Sequence, residues 1–134
     1  ALPNVTPVAT AMPSRSFLSP TPVGADGVIT ARFPGGESYS YYYYAADLKA
    51  GTLLTQTTLT GRAGAMKWIE ISLLDDKGRP DKSYHLSRTD ASADATKSFP
   101  IDRSGRWVVR VKMEGGETTS FKVELGGDAF SGGR

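Results

Sequence analysis

Three consecutive segments, residues 38–48, 52–60 and 66–74, fix what this chain can become. The first holds Tyr39, Ser40 and then four tyrosines, Tyr41 to Tyr44, and is broken at Lys49-Ala50-Gly51. The second is a threonine-rich run of the β-branched kind that a pleated sheet accommodates best. A strand turns successive side chains to opposite faces, so each segment sorts into two sets. In residues 38–48 one set is Tyr42, Tyr44, Ala46 and Leu48, and the other contains Tyr39, Tyr41 and Tyr43. Ala46 and Leu48 belong inside, which sends the odd-numbered tyrosines to the outer face. In residues 66–74, Ile69, Ile71 and Leu73 point inward and Trp68, Glu70 and Ser72 outward by the same rule.

The rest of the chain repeats this pattern. Ile29, Ala31 and Phe33 alternate with polar residues ahead of a Pro34-Gly35-Gly36 turn, and Tyr84 and Leu86 share one side of a short strand over residues 83–88. Residues 89–97 are weakly hydrophobic and read as a loop or single helical turn, with Asp90, Ser92 and Asp94 as local caps. Phe99 and Ile101 lead into a turn over residues 102–105, after which Trp107, Val109, Val111 and Met113 alternate with Val108, Arg110 and Lys112. Phe121, Val123 and Leu125 follow the Glu114-Gly115-Gly116-Glu117 loop, which predicts an antiparallel hairpin. About eight strands at short intervals, without a long helical stretch, predict an all-β, antiparallel, jelly-roll-like β-sandwich. The 15 Gly and 8 Pro supply its turns. Five of those prolines fall in residues 1–24, which predicts an extended N-terminal arm or linker over residues 1–26. The sandwich then occupies residues 27–127, with a Gly-rich tail over residues 128–134. Val8, Met12, Phe17 and Leu18 would anchor the arm on its own sheet or on a neighbouring copy.

Composition removes several functions. The net charge is +2 and the 16 Lys and Arg are scattered, so no concentrated basic face is expected for nucleic acid. With no Cys, thiol chemistry and thiolate-bound zinc are absent. No apolar run reaches the roughly 18 residues of a membrane-spanning helix. The opening Ala1-Leu2-Pro3-Asn4 suits a processed export substrate, giving the expectation of a periplasmic or secreted protein. His85 is the single histidine, and no Gly-x-Ser-x-Gly elbow accompanies it, so a nucleophile with its base is not expected. Glycoside hydrolysis needs paired carboxylates, and the sequence shows no partner for Glu70 on a neighbouring strand. The chain is therefore read as non-enzymatic.

The order of motifs carries a family resemblance. A Tyr-rich strand, Asp47-Leu48-Lys49-Ala50-Gly51-Thr52, a strand ending in Leu59-Thr60-Gly61, then Ile69 to Asp75, and finally Ser104-Gly105-Arg106-Trp107-Val108-Val109-Arg110-Val111, resembles the bacterial pre-peptidase C-terminal domain family. The resemblance covers residues 27–127 and implies a secreted, usually non-catalytic jelly-roll sandwich appended to a larger exported protein. It also implies binding to calcium or extracellular matrix in some members. The chain departs from the family at Ala65-Met66-Lys67-Trp68, where many members carry several Asp residues.

Two candidate sites follow. Tyr39, Tyr41 and Tyr43 would stand in a row about 7 Å apart, by the strand rise. Rows of exposed rings suit stacking on sugars or extended peptides, so these tyrosines with Trp68 and Glu70 form the ligand-binding candidate. Asp75, Asp76 and Asp81 in the acidic turn are the secondary candidates, for calcium. Lys77, Arg79 and Lys82 neutralise that turn, and no other cofactor is expected. The functional expectation is an exported accessory domain that binds a protein partner or extracellular polymer, or assembles a larger protein. The alternatives are a carbohydrate-binding module using the aromatic row and a structural homo-oligomer that exchanges its N-terminal arm.

Overall fold

A computed structural model describes residues 14–33, 37–64, 66–88, 92–115 and 118–130. The anchors Val8 and Met12, the turn at residues 34–36, the loop positions 116 and 117, and Asp90 lie outside these. Nine strands form two packed sheets: β1 (Thr21–Pro22), β2 (Val28–Phe33), β3 (Glu37–Leu48), β4 (Gly51–Gly61), β5 (Lys67–Leu74), β6 (Pro80–Arg88), β7 (Ser92–Ile101), β8 (Gly105–Gly115) and β9 (Thr119–Gly126). One sheet has the order β1-β3-β8-β5-β6 and the other β2-β9-β4-β7. Every pairing is antiparallel except the short parallel contact of β1 with β3. No helix occurs among the described residues, and the expected β-sandwich is the observed architecture.

Alternation decides which side chains fill the core. Tyr42, Tyr44, Ala46 and Leu48 of β3 are buried, as are Ile69, Ile71 and Leu73 of β5 and Trp107, Val109, Val111 and Met113 of β8. They face Leu53 and Leu59 of β4, Phe99 of β7, and Phe121, Val123 and Leu125 of β9. Tyr42 and Phe121 meet across the core with ring centroids 5.8 Å apart. A polar link also joins the sheets, between the Thr57 hydroxyl on β4 and the Tyr84 hydroxyl on β6.

Three expectations are corrected. The segment predicted as a hairpin separates into different sheets: β8 pairs with β3 and β5, while β9 pairs with β2 and β4. Both edges of β8 are thereby occupied, and its inward residues oppose those of β9 instead of lying beside them. The weakly hydrophobic residues 92–97 belong to β7, where register against β4 replaces the apolar alternation they lack. Residues 127–130 are part of the sandwich and do not trail from it. Ala129 and Phe130 are buried, Ala129 donates its N–H to the Thr52 carbonyl, and its own carbonyl accepts from Lys49 N–H. The Asp128 carboxylate also accepts the Thr52 N–H.

The described part of the arm lies on its own chain. Thr21 and Pro22 pair with Tyr44 and Ala45, and the Ser14 carbonyl accepts the Tyr43 N–H at 2.9 Å. Phe17 sits against Gly78 in the β5–β6 turn, so the segment spans from the β3 edge to the far side of β8. Leu18 is 90 % exposed and anchors nothing, because it occupies the tip of the turn over residues 17–19.

Candidate functional site: the open face of the five-stranded sheet

Strand order sets the neighbours on the outer face. β8 separates β3 from β5, so Tyr41, Lys112, Glu70 and His85 form one row across four strands. Tyr43, Arg110, Ser72 and Ser83 form the next, and Glu114, Trp68 and Ser87 lie on the other side. The tyrosines thus stand two strands from Trp68, about 10 Å by the spacing between paired strands. Cationic and anionic side chains of β8 and β5 make the floor between them.

The tyrosine row exists, with centroids 5.3 Å apart for Tyr39 and Tyr41 and 6.4 Å for Tyr41 and Tyr43. It is not uniformly open. The Lys112 ammonium lies 5.0 Å from the Tyr39 centroid and 5.8 Å from that of Tyr41, and the Arg110 guanidinium lies 5.0 Å from Tyr41. Such contacts hold cations against the ring quadrupole. Tyr41 and Tyr43 are half-buried, leaving Tyr39 (49 % exposed) and Trp68 (38 %) as the accessible rings.

Trp68 meets His85 edge to face at 5.3 Å, and together with Glu70, Lys112 and Glu114 they rim a depression of about 70 Å³. Lys112 is paired with Glu114 at 3.2 Å. The hydrogen bond that Lys112 donates to Glu114 raises the Lys112 pKa above its ordinary value; partial desolvation opposes this, and the nearby Tyr41 and Glu70 add to the increase. The ammonium stays charged at neutral pH and can donate to a ligand oxygen, while Glu70 and Glu114 can accept from ligand hydroxyls. Sequence reasoning identified Tyr39, Tyr41, Tyr43, Trp68 and Glu70 but missed Lys112, Glu114, Arg110 and His85 as their neighbours. It also missed that Glu70 has a second carboxylate, Glu114, on the same face of an adjacent strand.

The acidic turn does not form a metal cluster. Asp75 accepts N–H groups from Lys77 and Arg79 and is paired with the Arg79 guanidinium at 3.1 Å. These contacts, led by the Arg79 backbone N–H, hold its carboxyl below the usual value. Asp81 is paired with Lys82, and Asp76 is exposed. Among the described residues no group of three or more His, Cys, Asp or Glu is placed to hold a metal ion. Nor is any helix among them long and apolar enough to cross a membrane.

No family model matches the chain, and no curated protein does. Among solved structures it is similar to TmCBM61 in complex with β-1,4-galactotriose, with a TM-score of 0.52 and 16 % identity over 75 % of this chain and 82 % of that one. It is also similar to a CBM4 structure, with a TM-score of 0.49 and 14 % identity over 75 % of this chain and 70 % of the other. The pre-peptidase C-terminal domain of collagenase from Bacillus anthracis gives a TM-score of 0.45 and 12 % identity, over 79 % of this chain and 93 % of that one. The first likeness is one of fold: this chain shares the β-sandwich architecture found in a carbohydrate-binding module.

Proposed function

We propose that the chain is a non-catalytic binding module of an exported protein, holding an extended saccharide along the open face of its five-stranded sheet. The observation that carries this reading is the pairing of two accessible rings, Tyr39 and Trp68, across a floor of hydrogen-bonding charged groups. Rings supply apolar contact to the faces of sugars, and the charged groups between them match hydroxyls, the usual division of labour in a polar ligand site. Binding without turnover fits the geometry. Glu70 and Glu114 lie on an open sheet face, and Glu114 is engaged by Lys112.

The test is affinity electrophoresis of the whole chain through gels containing neutral polysaccharides, beginning with β-1,4-galactan. Retention by one polymer is expected, with Trp68→Ala and Tyr39→Ala each weakening it about tenfold, the size of a stacking contact. Unchanged retention in both variants, or no retention across the panel, overturns the reading. Arm exchange between two copies is the second reading. It is favoured by the shortness of the arm's strand pairing, since β1 has only two residues, joined to β3 beyond them by the Ser14 bridge to Tyr43. Gel filtration of the chain cut before Gly24 checks it, and an unchanged mass for a dimeric parent rules it out.

A further inference from the structure

We propose that the opposite sheet carries a second binding site, for the anionic group of an acidic saccharide. On the outer face of the four-stranded sheet, β9 lies between β2 and β4. Arg32, Ser120 and Thr60 form one row there, and Thr30, Lys122 and Thr58 the next. Six adjacent positions on three strands therefore carry one guanidinium, one ammonium and four hydroxyls. All six line a trough of about 480 Å³, completed by Ala31 and Phe121.

Charge complementarity identifies the occupant. No carboxylate belongs to the six; those bordering them are Glu124 in the next row, 3.9 Å from the Lys122 ammonium, and Asp94 of β7, which faces Thr58 at the edge away from Arg32. Arg32 has no ion-pair partner among the described residues and is exposed, so its fork of donors is available. A sulfate or carboxylate would sit between the guanidinium and the ammonium. Four hydroxyls that both donate and accept exceed what one oxyanion needs but suit the hydroxyls of the sugar carrying it. Three strands span about 10 Å, enough for an extended ligand. This site is independent of the aromatic face and survives if that reading fails.

The experiment measures binding of the whole chain to dextran sulfate, with neutral dextran and polyacrylate as controls. Dextran sulfate is expected to bind and dextran not. The pair Arg32→Ala, Lys122→Ala should weaken binding about tenfold or more, since hydrogen bonds to charged groups are the strong ones. Thr58→Val with Thr60→Val should weaken it several-fold at unchanged net charge, and raised salt should weaken it in the parent. The substituted positions lie on the outer face of the sheet, outside the core, so folding stays intact, checked by an unchanged melting temperature. Three results overturn the proposal: full binding by the Arg32, Lys122 pair; polyacrylate binding as tightly as dextran sulfate; or loss on Lys112→Ala instead, which would put the anion on the aromatic face.

Discussion

Tyr44→Phe should make this protein more stable, and increasingly so in alkali. The Tyr44 ring is buried in the core, 5 % exposed, and its hydroxyl has no hydrogen-bond partner among the described residues. A buried, unsatisfied hydroxyl costs about 1–3 kcal/mol, and its removal leaves the ring packing in place. An increase of about 1 kcal/mol at pH 7 is therefore expected, a few degrees in melting temperature for a domain of this size. Burial, with a smaller contribution from Tyr42, raises the Tyr44 phenol pKa far above its ordinary value. Folding thus favours the protonated phenol. The sign follows: stability is complete below the unfolded-state value near 10 and falls as pH rises above it, because the unfolded chain releases a proton the folded one keeps. At pH 11 the parent should lose about 1.4 kcal/mol on this account, and the variant should not. Urea unfolding of both proteins at pH 7 and pH 11 provides the measurement. Destabilisation of the variant at pH 7, or an advantage that does not grow at pH 11, refutes the argument.

Thr57→Val and Tyr84→Phe each strand a partner of the hydroxyl pair joining the sheets, so each should cost about 1–3 kcal/mol, with the double variant losing less than the sum. Urea unfolding of the four proteins in the cycle measures that coupling. Gly127→Ala should cost about 3 kcal/mol or more: φ is 85° and an added Cβ would strike the Thr52 carbonyl oxygen. At Gly64 φ is also positive, but the surroundings are open, so alanine there should cost about 1 kcal/mol. Melting temperatures separate the two. Lys112→Ala should shift melting little, since exposed ion pairs contribute about 0–1 kcal/mol, while uncovering the Tyr39 and Tyr41 rings to solvent dyes or sugars, read by tyrosine fluorescence.

What was legible in the sequence is what alternation encodes. Period two assigned Tyr42, Tyr44, Ile69, Ile71, Val109 and Val123 to the core, because apolar or aromatic residues recur at alternate positions; alternation does not show that part of the opposite face, at Ser72, Leu74 and Val108, is buried as well. Alternation also places Lys67 inward with Ile69, and the structure accepts the consequence: the buried ammonium donates to the Arg62 carbonyl at 2.8 Å. Pairing partners are another matter. Consecutive β3, β4 and β5 alternate between sheets, and β8 and β9 do the same despite a loop that suits a hairpin. A local turn signal records where a strand ends. It does not record which strand lies beside it.

The same distinction divides the candidate site. Trp68 and the odd tyrosines read as outward-facing from their own strands, and so do Arg110 and Lys112 from theirs. What makes them one surface is the insertion of β8 between β3 and β5, a contact made by residues about 40 to 70 positions apart in the chain. That insertion changes the chemistry of the row. A bare tyrosine ladder would be a uniform stacking surface, whereas cations from β8 lie over Tyr39 and Tyr41, and the two most exposed rings, Tyr39 and Trp68, stand across a charged floor. On the proposed reading, two separated rings with hydrogen-bonding groups between them suit a ligand that presents apolar faces at intervals and hydroxyls in between, as an oligosaccharide does and an unbroken apolar helix does not. The chemistry of this face therefore resides in the pairing of strands, and substitution on β8 should alter ligand choice as strongly as substitution of the rings.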